Sequence, residues 1–117
     1  MDGIDPFEEG GGGPVAAAQE ALMQATAGRL RLAMRFMELS SADEFGLLVG
    51  ASGTAVRNWT GGARHLPPVW HMVVLCARSD FTLDWIYRGD TTGLSPSTHR
   101  RLLEMALRSG GADETVA

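Results

Sequence analysis

The segment SADEFGLLVGASGTAVRNWTGGARHLP, Ser41 to Pro67, constrains the fold of this chain more than any other stretch. It reads as two short helices joined by a tight turn. Ser41 with Glu44 three residues on is a Ser-x-x-Glu capping box, the local chemistry that starts a helix. Phe45, Leu48 and Val49 fall on one face at helical spacing, and Gly50 marks the end. Ser52 caps a second helix, in which Val56 and Trp59 point inward. Helices this close need small residues where their backbones meet. Gly46 and Gly50 supply them, and Gly50 is free to take positive φ in the turn.

The outward face of the second helix keeps Thr54, Arg57 and Asn58. Arg57 can donate two parallel hydrogen bonds to guanine, Asn58 can pair with adenine, and Thr54 can bond a base edge or touch a thymine methyl. These are the side chains that major-groove reading of duplex DNA requires. On these residues the chain resembles the Cro/CI-type, phage repressor-like (XRE family) helix-turn-helix regulators. Gly46 matches the small residue of the first reader helix and Gly50 the turn glycine. Val56 matches the buried aliphatic residue, and Trp59 with Gly62 the aromatic and glycine that close the second helix. LDWIYRGD, Leu83 to Asp90, is similar to the fourth-to-fifth helix region of prophage-type members. The resemblance spans residues 29–94. It implies an all-α, five- to six-helix lambda-repressor-like domain acting as a DNA-binding transcriptional repressor. Base contacts would come from Thr54, Arg57 and Asn58, and backbone contacts from Ser41, Ser52 and Arg64. The chain departs from the family at Ala42, where Gln is common, at Thr60 in place of an acid, and at Gly53, where a longer polar side chain is common. Its loop from Gly62 to Pro67 is one residue longer.

The charge pattern sharpens this expectation. The formal net charge is −4, which alone disfavours a polyanion partner. All ten basic residues, however, are arginines between Arg29 and Arg108, a span holding seven of the fourteen acids, so that segment carries +3. Acid is concentrated in the tails.

Residues 1–14 are acidic and then glycine-rich, a composition that reads as a flexible tail outside the fold. Leu30, Met34 and Met37 predict a first helix over at least Arg29 to Leu39, with helix also before Gly28. Pro67 and Pro68 open a fourth helix burying Val69, Met72, Val73 and Cys76. Thr82 caps a fifth helix, Leu83 to Arg88, ended by Gly89, with Trp85 and Ile86 docking under the reader. Ser95-Pro96 starts a last helix ending before Gly110, over the segment 95–109, and 110–117 reads as a second tail. Leu102, Leu103, Met105, Ala106 and Leu107 on that helix serve either a homodimer contact or a fold-back onto the core. His99, Arg100 and Arg101 form a solvated face or reach phosphates. Trp59 reads as core. Trp70 is open between core, loop cover and interface.

One domain fits 117 residues with 44% hydrophobic content, enough for one modest core. The longest apolar run, Val69 to Ala77, is too short for a membrane span. The lone Cys76 reads as a buried reduced thiol, which with the absence of a leader-like segment points to a cytoplasmic protein; the resemblance implies one that is bacterial or phage-encoded and nucleoid-associated. The spacing of His65, His71, Cys76 and His99 matches no structural zinc pattern. No nucleophile elbow or phosphate loop is present. The expectation is therefore no enzyme, no metal and no cofactor, with double-stranded DNA and a second copy as partners. The alternative is a protein-interaction module, antitoxin-like or an anti-repressor, working through the acidic tail.

Overall fold

The computed structural model describes residues 13–61 and 65–108 and is all-helical over them. Six helices follow one another: α1 Gly13–Phe36, α2 Ala42–Val49, α3 Gly53–Thr60, α4 Val69–Ala77, α5 Leu83–Arg88 and α6 Pro96–Arg108. The start signals act as the local chemistry dictates. Ser41, Ser52 and Thr82 each accept a hydrogen bond from the backbone N–H three residues on, at 3.0–3.1 Å, satisfying donors that the first turn leaves free. Ser95 does the same for Thr98 at 3.3 Å, and Asp80 in turn accepts from the Ser95 hydroxyl at 2.9 Å. Gly50 and Gly89 end α2 and α5 in the left-handed conformation, which glycine adopts without penalty.

α1 differs from expectation at both ends. It takes in Gly13 and Pro14, which the sequence assigns to a tail, and it stops at Phe36 rather than Leu39. The stop is a Schellman motif. Glu38 sits at positive φ, 59. Its N–H bonds Arg35 O at 3.0 Å, and Leu39 N–H bonds Met34 O at 2.9 Å. No glycine announces this turn. Leu39 and Met34 both pack against the core, the hydrophobic contact that accompanies such caps. None of residues 13–25 is buried, whereas Thr26 to Leu30 all are. The second half of α1 is thus the spine of the core and the first half projects from it.

One core cluster joins all of the elements. It unites Leu30, Leu32 and Ala33 of α1 with Phe45 and Val49 of α2, Val56 and Trp59 of α3, and Met72 and Leu75 of α4. Trp85, Ile86, Leu102 and Ala106 complete it from α5 and α6. Two expectations need correction, on α4 and α5, and α6 takes the fold-back that the sequence left open. α4 buries Met72 and Leu75, while Val69 and Val73 are exposed and Cys76 is half-buried. Trp85 and Ile86 share the core with α2 and α3, but their helix packs mainly on α1 and α4. α6 folds back through Thr98, Leu102 and Ala106 and leaves Leu103 and Leu107 exposed, so its stripe serves the core on one side only. Arg101 lies over the Phe36 ring, 5.8 Å from its centroid, in a cation–π contact.

Arg29 is buried and donates to Ile86 O at 2.9 Å, tying α1 to α5. Burial pushes its pKa down from the usual arginine value. Tyr87 Oη donates to Pro67 O at 2.6 Å, holding the end of α5 to the entry of α4. Burial, and secondarily Cys76, push its phenol up to about 12. The unfolded chain loses that proton near the ordinary value of 10.0 while the folded chain still holds it. Folding is therefore weakened as pH rises through this window. A denaturation midpoint that falls over it more steeply in the native chain than in Tyr87→Phe is expected, burial of the Cys76 thiol leaving a residual slope in both. Parallel curves would show that another group governs alkaline unfolding.

Candidate nucleic-acid interface

α2 and α3 are joined by the short turn Gly50 to Ser52, and Gly46 is where helix and turn meet. A Cβ on Gly46 would stand 2.3 Å from Ala51 O and 3.3 Å from the Ser52 carbonyl carbon. Gly46 O accepts from both Gly50 N and Ala51 N at 2.8 Å, which satisfies a carbonyl at the end of α2 and fixes the turn. Gly50 sits at φ +80° with nothing near its missing Cβ, so its role is conformational and not steric.

Two further side chains lock this pair to the body. Arg31 of α1 donates to Thr60 O at 2.5 Å, placing a cation at the C-terminus of α3, where the helix dipole favours it. His71 of α4 bonds Val49 O through Nδ1 at 2.9 Å. The carbonyl can only accept, so Nδ1 carries the proton. Its ring lies 5.5 Å from that of Trp59. His71 thus links α4 to both α2 and α3.

α3 is two-faced. Val56, Trp59 and Thr60 are buried, Trp59 with 4% of its surface exposed, and Thr60 Oγ1 donates back to Val56 O at 2.9 Å. Thr54 and Arg57 are exposed on the other side and Asn58 is half-buried beside them. Arg57 Nη2 donates to Thr54 Oγ1 at 3.4 Å, so two of the three expected base-reading residues touch one another. Ser41 and Ser52 are exposed at the N-termini of α2 and α3. Their oxygens are engaged as caps, which leaves each hydroxyl proton to be donated outward. Arg64 lies outside the described residues.

Glu44 closes the capping box onto a different residue from the expected one. Its Oε1 accepts from Ser40 N at 2.6 Å and Ser40 Oγ at 2.8 Å, and these bonds hold its carboxyl below the usual range. Asp43, by contrast, reaches across to α3. Its Oδ1 lies 3.9 Å from Arg57 Nη1 and 1.8 Å from where a Cβ on Gly53 would be. Nothing in the sequence pairs position 43 with positions 53 and 57, because that proximity exists only once the two helices are docked.

The surface around α3 is less basic than the net +3 of segment 29–108 implies. Arg57 is the one basic residue between Ser41 and Gly61, a stretch that also holds Asp43 and Glu44. Arg29 is buried, Arg31 caps α3 and Arg101 covers Phe36. Among the described residues no group of His, Cys, Asp or Glu could hold a metal ion, and no helix is long and apolar enough to cross a membrane. No protein-family model, curated protein or solved structure matches this chain.

Proposed function

We propose that this chain is a sequence-specific, double-stranded DNA-binding transcriptional regulator of the lambda-repressor-like, Cro/CI (XRE) helix-turn-helix type, acting as a cytoplasmic repressor. The observation that carries the reading is the division of α3. Val56 and Trp59 anchor it, while Thr54, Arg57 and Asn58 stand together on the opposite face. In this reading α3 enters the major groove, Arg57 and Thr54 read base edges, and Asn58 meets a base or a phosphate. Ser41, Ser52 and Arg64 fix the register on the backbone. A single short helix reads few bases, so two copies bind half-sites about 34–36 Å apart.

The test is selection of sites from a random duplex library by the purified chain, repeated with Arg57→Ala. An inverted repeat is expected. Arg57→Ala should weaken cognate binding by about 1–3 kcal/mol and relax preference at one base pair. A superimposable binding curve would remove Arg57 from the interface.

A second reading, a protein-interaction module on the same scaffold, is favoured by one observation. α4, packed against α2, exposes Trp70 at 68%, Val69 at 57% and Val73 at 46%, and α2 itself exposes Leu47 at 86%. Apolar surface of this kind serves protein contacts better than phosphates. Selection that returns no motif from folded protein at low salt would make this reading the leading one.

A further inference from the structure

We infer that Asp43 is a positioning residue for Arg57, and that Gly53 is the slot that lets it act; the inference rests on the DNA-reading proposal above. Three observations converge. Gly53 opens α3, and a Cβ there would lie 1.8 Å from Asp43 Oδ1 and 3.4 Å from Arg57 Nη1, so the two side chains meet in the space that the glycine vacates. Arg57 is tethered at both terminal nitrogens, Nη1 facing Asp43 at 3.9 Å and Nη2 donating to Thr54 at 3.4 Å. Asp43 lies one element away, on α2, so its grip registers the guanidinium against the turn and not only against α3.

Both side chains are largely exposed, Arg57 at 60% and Asp43 at 76%. An ion pair of this kind adds little to stability in water. Its effect belongs to the bound state. A carboxylate beside a DNA-reading helix repels phosphate, and an arginine held by it is withdrawn from sequence-independent phosphate contacts. The guanidinium fork is aimed before contact, so less freedom is lost when it meets a guanine edge. Exclusion of water at the interface then strengthens the Asp43–Arg57 attraction where it is needed. Asp43 thus exchanges general affinity for discrimination.

The experiment measures cognate, single-base-mismatched and non-specific duplex binding across a salt series for the full chain, Asp43→Ala and Gly53→Ala. Asp43→Ala is expected to raise non-specific affinity, to steepen the slope of log K against log salt by about one, and to cut discrimination at the base pair read by Arg57 by roughly tenfold. Gly53→Ala keeps the charge but displaces the carboxylate. It should lose the same discrimination with a smaller rise in non-specific binding. Circular dichroism checks that both variants fold, and the alanine in α3 favours helix over glycine. If Asp43→Ala raises all three affinities equally, Asp43 only repels phosphate and the positioning role is overturned. If discrimination is untouched in both variants while the native chain still selects a motif, the inference fails and the DNA-reading proposal stands. If the native chain selects no motif, both fall.

Discussion

Trp85→Ala is expected to remove about 3–5 kcal/mol of folding stability, the largest loss of any single truncation in this domain. Trp85 is fully buried and is the largest such side chain. Its ring stacks on Phe81, with centroids 5.0 Å apart and planes at 20°, and Phe81 meets Phe36 edge-on at 5.3 Å. That aromatic column ties α5 to the end of α1. α5 has only six residues, too few to persist as an isolated helix, so it exists because Trp85 and Ile86 are buried. Domains of this size keep about 5–15 kcal/mol in total, so the variant should sit near its unfolding midpoint in mild denaturant. A urea titration read by circular dichroism measures it. Among the described residues the indole Nε1 is buried without a hydrogen-bond partner. Trp85→Phe therefore deletes an unmet donor along with the lost contacts, and should cost well under half of the alanine change. An alanine variant with an unshifted midpoint would place Trp85 outside the folding unit.

How far the sequence discloses this molecule depends on how local each feature is. The caps at Ser41, Ser52, Thr82 and Ser95 and the left-handed turns at Gly50 and Gly89 are written in three or four consecutive residues, and they are where the sequence puts them. The end of α1 is not, because a glutamate at positive φ, Glu38, occupies the position that glycine usually signals, held there by the two backbone bonds of the turn and the Leu39–Met34 side of the core. α4 defeats periodicity for another reason. In VWHMVVLCA nearly every position is apolar, so no stripe distinguishes Met72 and Leu75 from the exposed Val69, Trp70 and Val73. Periodicity needs polar positions to define a face. In the candidate interface, Thr54, Arg57 and Asn58 follow from the inward turn of Val56 and Trp59. Asp43 does not, since a carboxylate in the first turn of α2 already has a sufficient local explanation in the helix dipole. Formal charge misleads in the same way. It counts Arg29 and Arg31 as part of a basic surface when one is interior and the other caps α3.

Gly46→Ala is expected to be the second most damaging change, and to damage the interface more than the core. Two glycines mark the second half of α2 and its end, and a helix-propensity argument alone would favour alanine at the interior one, Gly46. The geometry reverses this. The added methyl would be 2.3 Å from Ala51 O and would press on the carbonyl carbon of Ser52, all backbone, with no side-chain tip able to swing aside. α2 and the turn must separate, at a cost of about 1–3 kcal/mol or somewhat more. The displacement starts at the residue that caps α3, so it shifts the helix carrying Thr54, Arg57 and Asn58. On the proposed DNA-reading role, loss of cognate binding should therefore exceed roughly tenfold even at temperatures where the variant is fully folded, because small misplacements of a bidentate donor forfeit its hydrogen bonds. Gly50→Ala is the control. Its methyl meets nothing within 4 Å among the described residues, and the left-handed backbone at φ +80° is what resists it. It should lose about 1–2 kcal/mol of stability, yet retain native DNA affinity once folded. Thermal melts beside binding curves separate the two. If Gly50→Ala abolished binding while Gly46→Ala did not, the close approach of turn to helix would not be what sets the aim of α3.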